Sequence, residues 1–205
     1  IAHGRVNMAR ALTVSSDVYF YQLGANFWTR RSQYGDAMQD VARRFGLGQR
    51  TGIPIRPEAL GRVPDPATRR RLNEANPKAF PNGDWRTGDN INLSIGQGEM
   101  AMTPLQLATS YGTFANGGSV FQPRVVDKVV DQEGRIRGQV DPVKLRTVSL
   151  PPTVRDPILA GLKGVVTGEG TAAGAFAGFP LERMTVAGKT GTAQVSQKQD
   201  TALFV

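Results

Sequence analysis

An α+β fold is predicted for this 205-residue chain, on three observations. Helix-periodic apolar stretches dominate about residues 1–118, short β-branched runs bounded by turn residues appear after about 119, and one further helix divides those runs. The chain is accordingly expected to be part of a single domain, with a helical part over about 1–118 and a sheet-containing part over about 119–205.

Residues 5 to 13 read as a short helix, with Val6, Ala9 and Leu12 (or Ala9 and Thr13) on one face. "VSSD" interrupts it. From Asp17 to Phe27, "DVYFYQLGANF" is apolar on nearly every face, the pattern of a helix buried on all sides. Gly24 costs that helix about 1 kcal/mol relative to alanine and suits a close helix contact. A third helix, about 34 to 45, ends at Gly46. Pro54, Pro57, Pro64, Pro66, Pro77 and Pro81 break any long periodicity, so 50–90 reads as a long connector with one helical turn near 67–75. Order returns at "SIGQGEMAMTPLQLATSYGTFANGG". Thr103 is a good N-cap, Pro104 suits the first helical position, and Gln106 completes a capping box. Leu105, Ala108, Tyr111 and Phe114/Ala115 make an apolar stripe, which Asn116-Gly117-Gly118 ends. "RVVDKVVDQEGRIRGQV" reads as a hairpin turning at Asp131 to Gly134. A helix follows at about 153–166, and 184–205 reads as strand, short turn at "SQKQ", strand.

Composition excludes several chemistries. Hydrophobic content of 40% and charged content of 20% describe a globular domain. No apolar run approaches the ~20 residues of a membrane span, and the N-terminus has no signal-peptide core. Both ends read as cut, so the chain is expected to be a piece of a longer protein. The net charge is +8, but the positive residues are scattered apart from Arg69, Arg70 and Arg71. No recognition helix or ribonucleoprotein pattern accompanies them, so a solvated basic surface is expected and no nucleic-acid partner. With no cysteine and the single histidine His3 at the N-terminus, thiol nucleophiles, a Ser-His-Asp triad and a His-rich metal site are excluded. A hydrolase or transferase here needs lysine or a carboxylate as its base.

"VAGKTGTAQV", residues 186–195, contains Gly188-Lys189-Thr190, the letters that end a phosphate loop, but Arg183 stands where that loop needs its first glycine. The β-branched residues Thr185, Val186, Thr190, Thr192 and Val195 fit a strand instead. Gly191 in that strand marks room for another backbone, so an extended peptide can add there as an extra strand. Lys189 would supply charge for a carboxylate or an alkoxide, and Thr190 and Thr192 hydroxyls. Ser15 and Asp17 sit where one helix stops and the next begins, a rigid place from which a hydroxyl can point into a cleft. The plain alternatives are a helix N-cap worth ~1 kcal/mol for "SSD" and a surface lysine before a bend for "KTG".

Taken together, "ALTVSSDVYFYQLG", "FGLGQRTGI", "GDNINLSIGQGEMAMTPLQLA", "FANGG", "GEGTA" and "AGKTGTAQV", in this order, resemble the class B penicillin-binding proteins, most closely the elongation-type members. The resemblance spans nearly the whole chain. It implies a β-lactamase/transpeptidase-like fold, a helical subdomain against an antiparallel sheet flanked by helices, with the active site between them. It implies a D,D-transpeptidase that attacks a D-Ala-D-Ala stem peptide through a serine acyl-enzyme, cross-links the cell wall, and is trapped by β-lactams. By position, Ser15 would be the proton-relaying serine of the middle motif, and Asp17 would stand where many members have asparagine. Lys189 would hold the Ser15 hydroxyl. Thr190 and Thr192 would bind the substrate carboxylate beside Gly191, the Thr192 amide forming half of the oxyanion hole. The family's Ser-x-x-Lys nucleophile and base are missing, since no serine here has lysine three residues later, and this chain alone is expected to be inactive. The resemblance implies no cofactor or metal, a membrane glycosyltransferase partner, and a location at the cell membrane with the domain outside. A penicillin-binding sensor and a β-lactamase-like hydrolase are the alternatives; the latter needs a deacylating glutamate, and Glu58 and Glu74 have no recognisable context for it.

Overall fold

The computed structural model describes residues 3–194 and 199–205. Among them the helices are α1 (Met8–Thr13), α2 (Asp17–Thr29), α3 (Arg31–Tyr34), α4 (Ala37–Arg44), α5 (Pro66–Ala75), α6 (Thr87–Ser94), α7 (Pro104–Ala115) and α8 (Pro152–Gly164). The strands are β1 (Ser119–Phe121), β2 (Lys128–Val130), β3 (Ile136–Gln139), β4 (Lys144–Thr147), β5 (Thr190–Ala193) and β6 (Thr201–Phe204). They pair antiparallel as β1 with β4, β2 with β3 and β5 with β6. Contacts gather the chain into two units, each discontinuous in sequence. The first comprises Ile1–Met38, Pro64–Met100 and Pro151–Val205, the second Gln39–Val63 and Ala101–Leu150.

In the first unit, α1 starts later than its apolar spacing predicts, because Asn7 is extended and its Oδ1 accepts the Arg10 amide at 2.9 Å. α1 lies on α8 at two glycines. A Cβ on Gly161 would stand 2.7 Å from the Ala9 carbonyl oxygen and 2.8 Å from Leu12 Cβ, and one on Gly164 would run into Thr13. Thr13 uses this closeness: its hydroxyl donates to the Gly161 carbonyl at 3.0 Å. Beyond α8, Val165, Val166 and Ala172 form a buried cluster covered by Phe176, Leu181 and Val186.

The close contact expected at Gly24 is found, with α6 as its partner: an added Cβ would meet the Asn90 carbonyl oxygen at 2.8 Å. Asn90 is 4% exposed. It donates to the Gly24 carbonyl at 2.9 Å and accepts from the Trp85 indole at 3.2 Å, so the buried amide is satisfied on both sides. The rest of α2 corrects the expectation of all-round burial, since Val18 is 64% and Leu23 40% exposed. One face of α2 meets α6 and another, at Phe20 and Tyr21, opens on a cleft. The connector is also more ordered than its prolines imply. Asp65 caps α5 by accepting the Thr68 amide at 2.6 Å, with Pro66 at the first helical position. α6 was not foreseen, because "TGDNINLS" is polar and is held by the bond from the Arg86 amide to Asp89 and by buried Asn90. The expected helix over 34–45 is α4, which starts later, at Ala37, after Gly35 with φ 57° separates it from the short α3. α4 stops at Gly46 as expected, with the Leu47 amide bonding the Ala42 carbonyl and the Gly46 amide the Arg43 carbonyl.

In the second unit, α7 begins as its capping box predicts. Thr103 Oγ1 accepts the Gln106 amide and Gln106 Oε1 accepts the Thr103 amide, both at 3.1 Å. Its buried line corrects the expected stripe: Gln106, Ser110 and Thr113 face inward, while Ala108 and Ala115 are exposed. The polar line is tolerated because each side chain has a backbone acceptor. Gln106 donates to the Gln49 and Leu60 carbonyls, Ser110 to Leu107 and Thr113 to Thr109. The hairpin β2–β3 forms as expected, with the Asp131 carboxylate accepting the Glu133 and Arg135 amides across the turn. β1 and β4, which the sequence reading did not separate, pair around the buried Val120. The "SQKQ" turn falls mainly on residues 196–198, outside the described residues.

The α1–α8 contact carries a prediction. Gly161→Ala should destabilise the fold by about 1–3 kcal/mol through overpacking. Gly112→Ala, on α7 where a Cβ meets nothing within 4 Å, should stabilise it by about 0.5–1 kcal/mol. Urea melts of the two variants should therefore shift in opposite directions, and parallel shifts would remove the close approach as a constraint.

Candidate active site

A cleft of about 860 Å³ lies within the first unit. Its walls bring together the residues singled out in the sequence: Ser15, Asp17, Lys189, Thr190, Gly191 and Thr192.

Ser15 owes its position to how α1 ends. The Ser16 amide bonds the Ala11 carbonyl at 2.9 Å and the Ser15 amide the Leu12 carbonyl at 3.3 Å, the paired bonds of a Schellman stop. That motif places its penultimate residue in the left-handed region, where glycine is usual. Here the residue is Ser15, with φ 53°, the one non-glycine residue of positive φ among the described residues. A side chain there costs on the order of 1 kcal/mol, and its presence turns the hydroxyl into the cleft. Ser16 occupies the N-cap of α2 but makes no side-chain capping bond. Asp17 is the first residue of α2, where a negative charge suits the helix dipole.

Lys189 arrives from the other wall. Its amide donates to the Val205 carbonyl at 2.8 Å and its carbonyl accepts the Val205 amide at 3.2 Å, so the pairing of β5 with β6 extends one residue beyond the strand proper. The preceding Gly188 amide is tied to the Leu162 carbonyl of α8 at 3.1 Å. A Cβ at Gly188 would stand 2.5 Å from the Phe204 ring, so only glycine fits. The ammonium donates to Ser15 Oγ at 2.8 Å and to the Thr190 carbonyl at 3.0 Å. Burial pulls the Lys189 pKa below its ordinary value, and the Asp17 charge opposes that pull.

The exchange between Lys189 and Val205 fixes which groups of β5 face the cleft. In an antiparallel ladder such pairs alternate, so Gly191 faces Leu203 across bonded groups, while the amides and carbonyls of Thr190 and Thr192 point to the free edge. A Cβ at Gly191 would meet nothing within 4 Å, so the glycine leaves that face of the cleft open rather than accommodating a neighbour already there. The Thr192 carbonyl accepts a long 3.4 Å bond from Gln97 Nε2. Gln97 belongs to a loop anchored through Arg69, which pairs with Glu99, lies 3.6 Å from Asp89, and donates to the Asn82 carbonyl at 2.7 Å. Sequence reading assigned no role to Asn92, Gln97 or Thr171, which also line the cleft. Asn92 and Gln97 lie in "GDNINLSIGQGEM" and Thr171 in "GEGTA", so the signal was present as motif without chemistry. Among the described residues there is no group of three or more His, Cys, Asp or Glu able to hold a metal.

Comparison with known proteins gives one answer at every level. The family described as "Penicillin binding protein transpeptidase domain" matches residues 1–204. A peptidoglycan D,D-transpeptidase MrdA of Acinetobacter baumannii is 35% identical over 206 aligned residues, covering 94% of this chain and 26% of that protein. The penicillin-binding protein PbpB of Mycobacterium tuberculosis is 36% identical over 157 residues, 76% of this chain and 20% of its own length. Pseudomonas aeruginosa PBP2, solved in complex with WCK 5153, superposes with a TM-score of 0.73 at 32% identity, over 97% of this chain and 40% of that one. PBP2 of Helicobacter pylori, solved in complex with MreC, gives 0.71 at 28% identity, over 98% of this chain and 33% of that one. The fold is therefore the α+β transpeptidase fold. The chain spans about a quarter of the length of the MrdA relatives it matches.

Two predictions follow from the geometry. Ser15→Ala and Ser15→Gly both remove the hydroxyl, but only glycine relieves the left-handed backbone, so Ser15→Gly should be the more stable by about 1 kcal/mol; equal thermal melts would refute the strain. Asp17→Asn removes the charge that holds the Lys189 pKa up, leaving burial unopposed. The Lys189 midpoint, followed by side-chain NMR, should then fall below its wild-type value, and a rise would contradict the stated cause.

Proposed function

This chain belongs to the penicillin-binding protein transpeptidase family, on its class B, elongation-type branch, and from that membership we propose that it forms the substrate-binding and proton-handling side of a peptidoglycan D,D-transpeptidase. The observation that carries the reading is the 2.8 Å bond from Lys189 to Ser15 beside the free edge of β5.

The substrate is a stem peptide ending in D-Ala-D-Ala, laid along β5 as an added strand. Its terminal carboxylate meets the hydroxyls of Thr190 and Thr192. Its scissile carbonyl lies toward the outward amide of Thr192, one donor of an oxyanion hole, a group typically worth ~2.7–4 kcal/mol of barrier. Because Lys189 donates to Ser15, the single hydroxyl proton of Ser15 is free to pass toward the departing D-alanine nitrogen, and later to be restored from the attacking amine. Lowering of the Lys189 pKa by burial eases the transient charge changes of that relay. No serine here has lysine three positions later, so the nucleophile and its base come from a Ser-x-x-Lys element outside residues 1–205. β-lactams imitate the dipeptide at the same edge.

The β-lactamase alternative loses support at Glu58. Its carboxylate accepts the Thr51 amide and hydroxyl, both at 2.6 Å, and the bond from the hydroxyl holds its pKa below the usual range, which suits a turn brace and not a general base. Among the described residues no helix is long and apolar enough to cross a membrane; anchorage at the cell membrane, with the domain on its outer side, is part of this proposal. So is a membrane glycosyltransferase partner.

In the full-length protein, Lys189→Ala should slow acylation by a fluorescent penicillin by on the order of a hundredfold or more while leaving the melting temperature nearly unchanged. Residues 1–205 alone should form no adduct by mass spectrometry. Equal acylation of mutant and wild type, or an adduct on Ser15 or any other serine of this chain, would overturn the assignment.

A further inference from the structure

We infer that Thr171 is a positioning residue for ligand carboxylates, acting through the hydroxyl of Thr190; the inference rests on the transpeptidase reading and extends its site. The two hydroxyl oxygens are 2.6 Å apart, a short hydroxyl–hydroxyl bond, and both residues line the cleft.

Thr171 is an exposed residue on a rigid mount. On one side Gly170 is pressed onto the end of α8, where a Cβ would collide with the Gly164 and Val165 carbonyls. On the other side Ala172 is 7% exposed in the Val165–Val166 cluster, and its amide bonds the Val165 carbonyl at 2.9 Å. The backbone at 171 therefore cannot follow a ligand, while its side chain reaches across to β5. Thr190 is held in the same way by its strand. The bond between them joins two separately fixed elements.

A hydroxyl donates one proton. If Thr190 accepts from Thr171, its own proton is left to donate to an anion, and the bond it accepts polarises the bond it gives. A carboxylate, which only accepts, selects that direction. Thr171 thereby sets both the rotamer and the donor sense of Thr190 without touching the ligand. The expected signature lies in recognition of the carboxylate and not in the rate of the acyl step once the ligand is bound.

The test compares benzylpenicillin with its methyl ester on the full-length protein, separating the binding constant from the acylation rate constant. Thr171→Val should weaken benzylpenicillin binding about tenfold, as for one bond to a charged group. It should change ester binding and the bound-state acylation rate less than about twofold. Thr171→Ser should restore wild-type binding, and Thr171→Val should add nothing in a Thr190→Val background. Thr171→Ala, with a thermal melt of each variant, covers the case in which valine disturbs the Gly170 turn. Equal losses for acid and ester, failure of serine to rescue, or a loss that persists without the Thr190 hydroxyl would overturn the inference. Wild-type protein that labels normally, with Thr171→Val and Thr171→Ala labelling equally well, overturns this inference alone. Wild-type protein that labels with neither compound overturns the transpeptidase reading, and this inference with it.

Discussion

The close approach of α1 to α8 is the constraint on which the cleft depends. α8 presents Gly161 and Gly164 to α1, so that helix sits against bare backbone and Thr13 can bond the Gly161 carbonyl. One residue along, the Leu162 carbonyl accepts the Gly188 amide, fixing the approach to Lys189. The serine and the lysine, 174 positions apart in sequence, are thus referred to the same turn of one helix. Packed backbone transmits position with little slack. A methyl group at Gly161 would stand 2.7 Å from the Ala9 carbonyl oxygen and press on the helix that carries Ser15.

The second element of the design is a serine in a glycine's conformation. α4 ends at Gly46 and α1 at Ser15 with the same pair of capping bonds, yet only the second carries a side chain there. Local stability is given up at a residue whose hydroxyl accepts from the Lys189 ammonium in the cleft, and strained backbone of this kind clusters at functional sites. The pKa of Lys189 shows a parallel compromise, since burial disfavours its charge while Asp17 supports it.

What could be read from the sequence was what is local. The Thr103–Gln106 cap, the stop at Gly46 and the Asp131 hairpin each arise from bonds across a few residues, and each lies where the residue types place it. α6 and the polar buried line of α7 were illegible for the opposite reason. Asn90 finds its partner in Gly24, and Gln106 finds the Gln49 and Leu60 carbonyls, so neither is recognisable as a core residue until the chain is folded. For the cleft, motif resemblance named Ser15, Asp17 and the Lys189–Thr192 segment, and the structure gathers them. That Ser15 is left-handed left no mark in the sequence, because glycine is the usual sign of that turn. Thr171 and Gln97 lie within those motifs, but only the folded chain brings them to β5.

The free edge of β5 has a polarity of its own. Both outward carbonyls are engaged, Thr190 by the Lys189 ammonium and Thr192 by the Gln97 amide, while the Thr190 and Thr192 amides face outward from the same edge. An unguarded edge strand welcomes any passing strand, because it offers donors and acceptors in alternation. This one shows an approaching chain chiefly donors. A peptide that brings carbonyls and a terminal anion meets unshared donors, whereas one whose amides need acceptors shares a carbonyl oxygen with the lysine or the glutamine. The edge thus biases hydrogen bonding toward ligands rich in acceptors, since its two outward amides are the groups that carry no shared partner.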